Sequence, residues 1–331
     1  RDLAMKRTNV GAYVLLFAGI FGVASCASKV PPSMATMQPM FGPGGSASVP
    51  PRSTAALRAP SALPGQAAPV APSYPIYPAQ SNPSVSTSFL PVGGWQLVGR
   101  SKARALPGGA RYMEARVQGP GGTVDLNYVV FDSRLHTLRV MDQAASTAGG
   151  TIIAAAMHYH GAIAGVNGGF FSKDFEPMGL VISGGRTLSE FSSKSSLITG
   201  MVAVTGGEPY LLWNAEHQGG AGYSDALQAG PRLVSSSQPV SGLSAARSTS
   251  RTFIATDGGR LWVLGVARSC SLADLAQILT SPAVLEMNVM RALNLDGGHS
   301  SALWAGPTSG AEVSQPWWST VRNYLGVVPK R

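Results

Sequence analysis

Ala292-Leu293-Asn294-Leu295-Asp296-Gly297-Gly298-His299-Ser300-Ser301 ends an apolar run on a carboxylate and follows it at once with small and polar residues. Leu293 and Leu295 alternate with Asn294 as strand residues do, and the paired glycines leave room for close backbone approach. The segment reads as a strand emptying into a site, although Asp-Gly is also the commonest hairpin signal. The chain holds its own control. Thr256-Asp257-Gly258-Gly259-Arg260 lies between Phe253-Ile254-Ala255 and Leu261-Trp262-Val263-Leu264, so apolar strands on both sides make it a plain hairpin. After Asp296, by contrast, His299, Ser300 and Ser301 stand where a return strand would begin.

Working upstream, Ser281-Pro282 offers a start for a helix running to about Val289, and Ser271 with Asp274 forms a capping-box-like start for a helix over 272–279. Cys270, just before that helix, reads as a buried thiol. A further helix over Thr151 to Tyr159 feeds the short strand Ala162-Ile163-Ala164-Gly165-Val166, which breaks at Asn167-Gly168-Gly169. Two places thus share one design: a helix, a short apolar strand, then Asn or Asp followed by Gly-Gly. This predicts two strand ends delivering polar groups to one cleft, with glycine N–H groups free to hold an anion. Alternating runs at 112–117, 124–131 and 138–141 read as strands. The expectation is an α+β domain built on a mixed β-sheet with a few helices.

The charge separates this domain from what precedes it. Residues 1–113 hold ten Lys or Arg and one acid, Asp2, whereas 114–331 hold fifteen of each sign, so the whole net charge of +9 belongs to the first part. A neutral folded body without a basic cluster argues against a nucleic-acid partner. Met5-Lys6-Arg7 and the apolar run from Ala12 to Val23 have the form of a secretory signal. The run is short for a bilayer span. It closes on Val23-Ala24-Ser25-Cys26, which resembles a bacterial lipoprotein signal with Cys26 as the lipidated residue; a signal cleaved near Ala27 and an uncleaved anchor are the alternatives. Ala27 in place of Asp leans toward the outer membrane of a bacterial envelope. The division expected is a signal over 1–26, a disordered Pro/Ala/Ser-rich tether over 27–91 and a folded domain over 92–331.

Six segments in order resemble the phosphodiester glycosidase family. They are Gly165-Val166-Asn167-Gly168-Gly169-Phe170-Phe171, Glu176-Pro177-Met178-Gly179-Leu180-Val181-Ile182, Ala229-Gly230-Pro231-Arg232-Leu233-Val234, Ser250-Arg251-Thr252-Phe253-Ile254, Ala292 to Ser301, and Val321-Arg322-Asn323-Tyr324-Leu325-Gly326-Val327. The resemblance implies a hydrolase that releases a sugar from a phosphodiester, acting on a carbohydrate or sugar phosphate. It departs from the family pattern at His299, where the family has a third glycine; an imidazole there adds a proton donor or cation, or narrows the pocket.

Breaking a sugar C1 to phosphate-oxygen bond passes through an oxocarbenium-like transition state with charge growing on the phosphate. Cations and N–H donors around that phosphate therefore matter more than general-acid help. Arg251 suits the phosphate, since a guanidinium binds its oxygens in pairs; an ion pair with Asp296 is its alternative role. Asp296 is the candidate nucleophile or base, and Glu176 the second carboxylate, with Asp174 as substitute. Asn167, Gly168, Gly169, His299, Ser300, Ser301 and Asn323 are candidate substrate contacts, and Trp304, Trp317 and Trp318 candidate stacking surfaces. His158-Tyr159-His160 has the wrong helical spacing for a metal pair, and no cofactor or metal is expected. An ordinary exo-glycosidase and a non-catalytic saccharide-binding lipoprotein are the competing readings.

Overall fold

The computed structural model describes residues 94–143, 152–219, 222–315 and 320–330. The signal, Cys26, the tether, Trp317 and Trp318 lie outside them. Among the described residues no helix is long and apolar enough to cross a membrane.

The chain opens with β1 (Gln96–Arg100), β2 (Arg104–Ala105), β3 (Arg111–Gly119), β4 (Gly122–Asp132) and β5 (His136–Asp142). Helix α1 (Ile153–His160) leads into β6 (Ala164–Asn167). There follow β7 (Val181–Ser183), β8 (Arg186–Ser189), β9 (Gly200–Thr205), β10 (Glu208–Trp213), β11 (Asp225–Ala229), β12 (Arg232–Ser235) and β13 (Gln238–Pro239). The hairpin β14 (Thr249–Thr256) and β15 (Leu261–Cys270) precedes α2 (Leu272–Leu279), α3 (Pro282–Leu285) and β16 (Arg291–Asn294). Strands β17 (Leu303–Ala305), β18 (Val313–Gln315) and β19 (Asn323–Pro329) complete it.

The result is mostly β. One large sheet has the order β1-β3-β4-β15-β14-β16-β12-β13 with β2 on β3; two five-stranded sheets run β10-β9-β11-β7-β8 and β18-β17-β6-β19-β5. Every pairing among the described residues is antiparallel, which corrects the expected mixed sheet. The reason lies in the two helical crossovers. The chain returns through α1 from β5 to β6, and through α2 and α3 from β15 to β16, but each time a third strand fills the gap, the remote β19 in the first case and the hairpin partner β14 in the second. β19 pairs with both β5 and β6, and β14 with both β15 and β16. Two strands that would have paired in parallel are thus separated by an antiparallel one.

Local chemistry fixes the helices. Ser271 caps α2 by accepting the Asp274 N–H at 3.1 Å, and Cys270 beside it is fully buried, its thiol pushed up to about 12 by that burial. α3 stops four residues short of the expected end because Glu286 turns left-handed at φ 57°. The control segment is the hairpin it was read to be: Asp257 Oδ1 accepts the N–H groups of Gly259 and Leu261 at the β14–β15 turn.

The large sheet is buried on both faces in its middle, which is why β4 carries the unbroken run Tyr128-Val129-Val130-Phe131. One face packs α2 and α3 against Leu126, Tyr128, Phe253 and Val263. The other faces the two smaller sheets through Phe131, Ile254, Leu264 and Leu293, meeting Val140, Val166, Leu303 and Leu325 of one and Val202 and Leu227 of the other. Full burial of each such side chain stabilises by about 1.5–3 kcal/mol. β6 and β16 therefore end side by side in different sheets.

Candidate active site

The two Asn/Asp-Gly-Gly segments meet. Asn167, fully buried at the end of β6, donates from Nδ2 to the Asp296 carbonyl at 2.7 Å, and the Asp296 N–H donates to the Gly168 carbonyl at 3.0 Å. Asn167 Oδ1 accepts from Thr252 Oγ1 at 2.7 Å and from the Ala302 N–H at 3.0 Å. One amide thereby joins the start of β14, the end of β16 and the approach to β17. The strands inserted at the two crossovers supply the remaining walls: antiparallel pairing lays the start of β19, Asn323, beside the end of β6, and the start of β14, with Arg251 and Thr252, beside the end of β16.

The glycines have a different task from the one expected. Gly168 donates to the Asn323 carbonyl at 2.8 Å and Gly169 to Asn323 Oδ1 at 2.9 Å, so neither N–H is free for an anion. They are glycines because of close approach: a Cβ on Gly168 would collide with Asn323 Oδ1 and lie 3.0 Å from its carbonyl oxygen, and one on Gly169 would lie 3.1 Å from the Gln228 carbonyl. Gly168→Ala is expected to cost about 1–3 kcal/mol through this overpacking and to lower activity further by displacing Asn323. Thermal unfolding paired with a turnover assay reads both. Gly298, in contrast, is required by its φ of 64°.

Asp296 is half-buried. Burial raises its carboxyl above the ordinary carboxylate value, and the Ser300 hydroxyl and the Gly297 N–H, 2.8 Å from Oδ1, oppose that rise. No Lys or Arg lies within ion-pair reach of it among the described residues, so the alternative pairing with Arg251 is not formed. Ser301 Oγ and Asn323 Nδ2 are buried without a hydrogen-bond partner among the described residues. Asn323 takes the Gly168 N–H on its carbonyl, and Ser301 precedes Ala302, whose N–H bonds Asn167 Oδ1. Buried polar atoms left unpaired cost about 1–3 kcal/mol each, and Asn323 and Asp296 are both hydrogen-bonded to the Gly168 backbone. His299 is exposed on the single helical turn over Gly298–Ser300.

Arg251 has no carboxylate partner among the described residues; Nε donates to the Cys270 carbonyl at 3.1 Å and Nη2 to the Arg247 carbonyl at 2.8 Å. Burial pulls its guanidinium below the usual value, Cys270 opposes this and Arg247 reinforces it. Gly297 packs along it: a Cβ there would sit 3.9 Å from Arg251 Cδ. Glu176 and Asp174 are not joined to this cluster. Both are exposed on the loop after β6, and their N–H groups bond Ser172 Oγ. Trp304 is buried, with Nε1 donating to Glu312 at 3.0 Å and His158 packed edge-on at 5.0 Å, so it is a core residue. His158 itself pairs with Glu312 at 2.8 Å.

Four residues of the site were passed over in the sequence. Thr252 positions Asn167. Asn294 donates to the Gly230 and Leu295 carbonyls at 2.8 and 2.6 Å, fixing the strand end. Arg322, buried, forms a two-pronged ion pair with Asp142 at 2.9 and 3.0 Å and donates to the Phe175 carbonyl at 3.0 Å, tying down the loop that carries Glu176. Arg232 lies opposite Leu293 at the start of β12, stacked 5.4 Å from the centre of the Trp213 ring. All four sit inside the quoted motifs; the signal was there, but a single sequence does not say which neighbour faces the cleft.

The chain matches a known class. Residues 160–328 match the phosphodiester glycosidase family, and the chain belongs to that family. The catalytic domain of zebrafish N-acetylglucosamine-1-phosphodiester alpha-N-acetylglucosaminidase, auto-inhibited by its pro-peptide, shares the fold with a TM-score of 0.50 at 14% identity, over 72% of this chain and 89% of that one. A hypothetical protein from Synechocystis aligns with a TM-score of 0.47 at 18% identity over 67% of this chain, which spans 62% of that protein. No curated protein matches the chain.

Proposed function

We propose that this protein is a hydrolase that removes a sugar from a phosphodiester-linked glycan or related envelope saccharide, with Asp296 as the base. The reading rests on one observation: a desolvated carboxyl at the junction of two strand ends whose hydrogen bonds also hold the neighbourhood of Asn323 and Ala302, with Asn323 Nδ2 and Ser301 Oγ buried and unpartnered among the described residues. Water attacks the sugar C1 as the bond from C1 to the phosphate oxygen breaks. The bonding electrons leave with the phosphate, and the water proton passes to Asp296 and then to solvent. A carboxyl held above its usual value by burial is the stronger base once ionised. Ser301 and Asn323 offer hydrogen bonds to sugar hydroxyls, and Ser300 and the Gly297 N–H hold Asp296 in place.

Phosphate departs readily, so no second acid is needed and the exposed Glu176 has no required part. The charge growing on phosphate calls for a cation. Arg251, partly buried without a carboxylate partner beside Gly297, supplies it. On the same reading the domain is carried at the end of the 27–91 tether by a lipid on Cys26, at the outer membrane.

The test compares a sugar phosphodiester with the matching aryl glycoside. Arg251→Ala is expected to lower kcat/KM on the phosphodiester by about 10²-fold, the scale of losing one charged donor at a developing anion, and to change the aryl glycoside rate far less. Equal losses on both would remove Arg251 from the phosphate. Faster cleavage of the aryl glycoside by the parent protein would make it an ordinary glycosidase.

A further inference from the structure

Beyond the site, a groove of about 640 Å³ opens over β1, β3, β4 and β15, with Gln315 of β18 on its far wall. Its volume falls in the range that encloses a small organic ligand. Its lining is polar, including Glu114, Arg116, Asp125, Asn127, Arg268 and Gln315.

Strand register connects this groove to the candidate site. Residues opposite one another across an antiparallel pair project from the same face. Thr252, which holds Asn167, is opposite Val266; Val266 is opposite Asn127, and Asn127 opposite Glu114. At about 4.8 Å per strand, Thr252 and Glu114 lie roughly 14 Å apart across the sheet, with Thr252 and Val266 buried and the row reaching the groove at Asn127 and Glu114. The other wall leads to the same place: Gln315 is opposite Leu303, and Leu303 opposite Val166, the residue before Asn167. Both walls of the groove therefore belong to the same sheets as strands that build the site, β15 next to β14 and β18 next to β17.

The charges inside it are mostly satisfied. Arg116 pairs with Asp125 at 2.6 Å, Arg100 with Glu286 at 2.6 Å, and Glu114 accepts from the Tyr112 hydroxyl at 2.8 Å. Arg268 differs. It is exposed, its Nη2 donates to Gln315 Oε1, and it has no carboxylate within ion-pair reach among the described residues. A groove lined by carboxylate, amide and guanidinium groups, with one guanidinium that has no carboxylate partner among the described residues, suits a polyhydroxylated chain bearing an anion.

We propose that this groove is an extended subsite for the part of a phosphodiester-linked glycan beyond the scissile bond, with Arg268 meeting a further phosphate of the same chain. The proposal rests on the glycosidase reading of the Asp296 site and narrows its substrate to polymeric phosphoglycans. The probes are oligomers of N-acetylglucosamine 1-phosphate with one, two and four repeats, measured for turnover and, by calorimetry, for binding.

In the parent protein, affinity and kcat/KM are expected to rise with length. Arg268→Ala should remove about tenfold on the longer oligomers, the scale of one charge-assisted hydrogen bond, and leave the single-repeat substrate unchanged. Arg268→Glu should weaken binding of the four-repeat oligomer further. Turnover independent of length, or equal losses on every length, would overturn the groove while leaving the hydrolase standing. Length-dependent binding that needs Arg268, with no turnover of any oligomer, would keep the groove and remove the hydrolase. Neither binding nor turnover of any oligomer would overturn both.

Discussion

Asp296→Asn is expected to lower kcat on a sugar phosphodiester by at least about 10³-fold, the upper part of the range for losing a positioned base, while making the protein more stable at neutral pH. Both follow from the same burial. In the folded chain the Asp296 carboxyl holds its proton to higher pH than in the unfolded chain, because desolvation disfavours its charge. As pH rises from about 4, the ordinary Asp value, through the raised value, the unfolded chain has already released the proton that the folded chain still binds. Stability therefore falls across that window and stays lower above it. Asparagine carries no such charge. Its melting temperature should exceed that of the parent at pH 7, by about 2–4 °C for each kcal/mol released, and the gap should close below pH 4. Activity of the parent should fall on the acid side above the pH of an ordinary Asp. Thermal melts and kcat from pH 3.5 to 8 check all three, and an Asn variant that is both inactive and less stable at pH 7 would contradict the account.

Arg322→Ala is expected to be the most destabilising single change among the residues around the site, by about 3–5 kcal/mol, because it strands the Asp142 carboxylate where the structure leaves it only 11% exposed. The same substitution frees the Phe175 carbonyl and loosens the loop before Glu176. Replacing both partners, Arg322→Met with Asp142→Leu, should recover most of the loss, since an apolar pair leaves no charge behind. Urea unfolding separates the outcomes. A single variant that loses less than about 1 kcal/mol would mean that the ion pair is solvated and does not hold the loop.

Much of the site was legible before folding was considered, and the reason is local. Asp296-Gly297-Gly298 and Asn167-Gly168-Gly169 stand out because each ends an apolar strand on a polar group followed by glycines, and such breaks show in one dimension. The helix over 272–279 was legible for the same reason, since the Ser271 cap acts on a residue three positions away. What the glycines do was not legible. Their N–H groups looked free for an anion, but Asn323, more than 150 residues away, takes both.

The sequence by itself determined the class: the short strands with their turn chemistry, and the six ordered segments of the phosphodiester glycosidase family. These depend on composition, on period-two alternation and on spacing, all properties of neighbouring residues. Only the tertiary structure decided that the sheets are antiparallel, because β19, remote in the chain, enters between β5 and β6, and β14, the hairpin partner of β15, enters between β15 and β16. The same insertion brought Asn323 to Gly168 and Thr252 to Asn167, and left Glu176 in solvent. Pairing between distant strands is settled by which faces can be buried together, a condition of the whole core that no local pattern records.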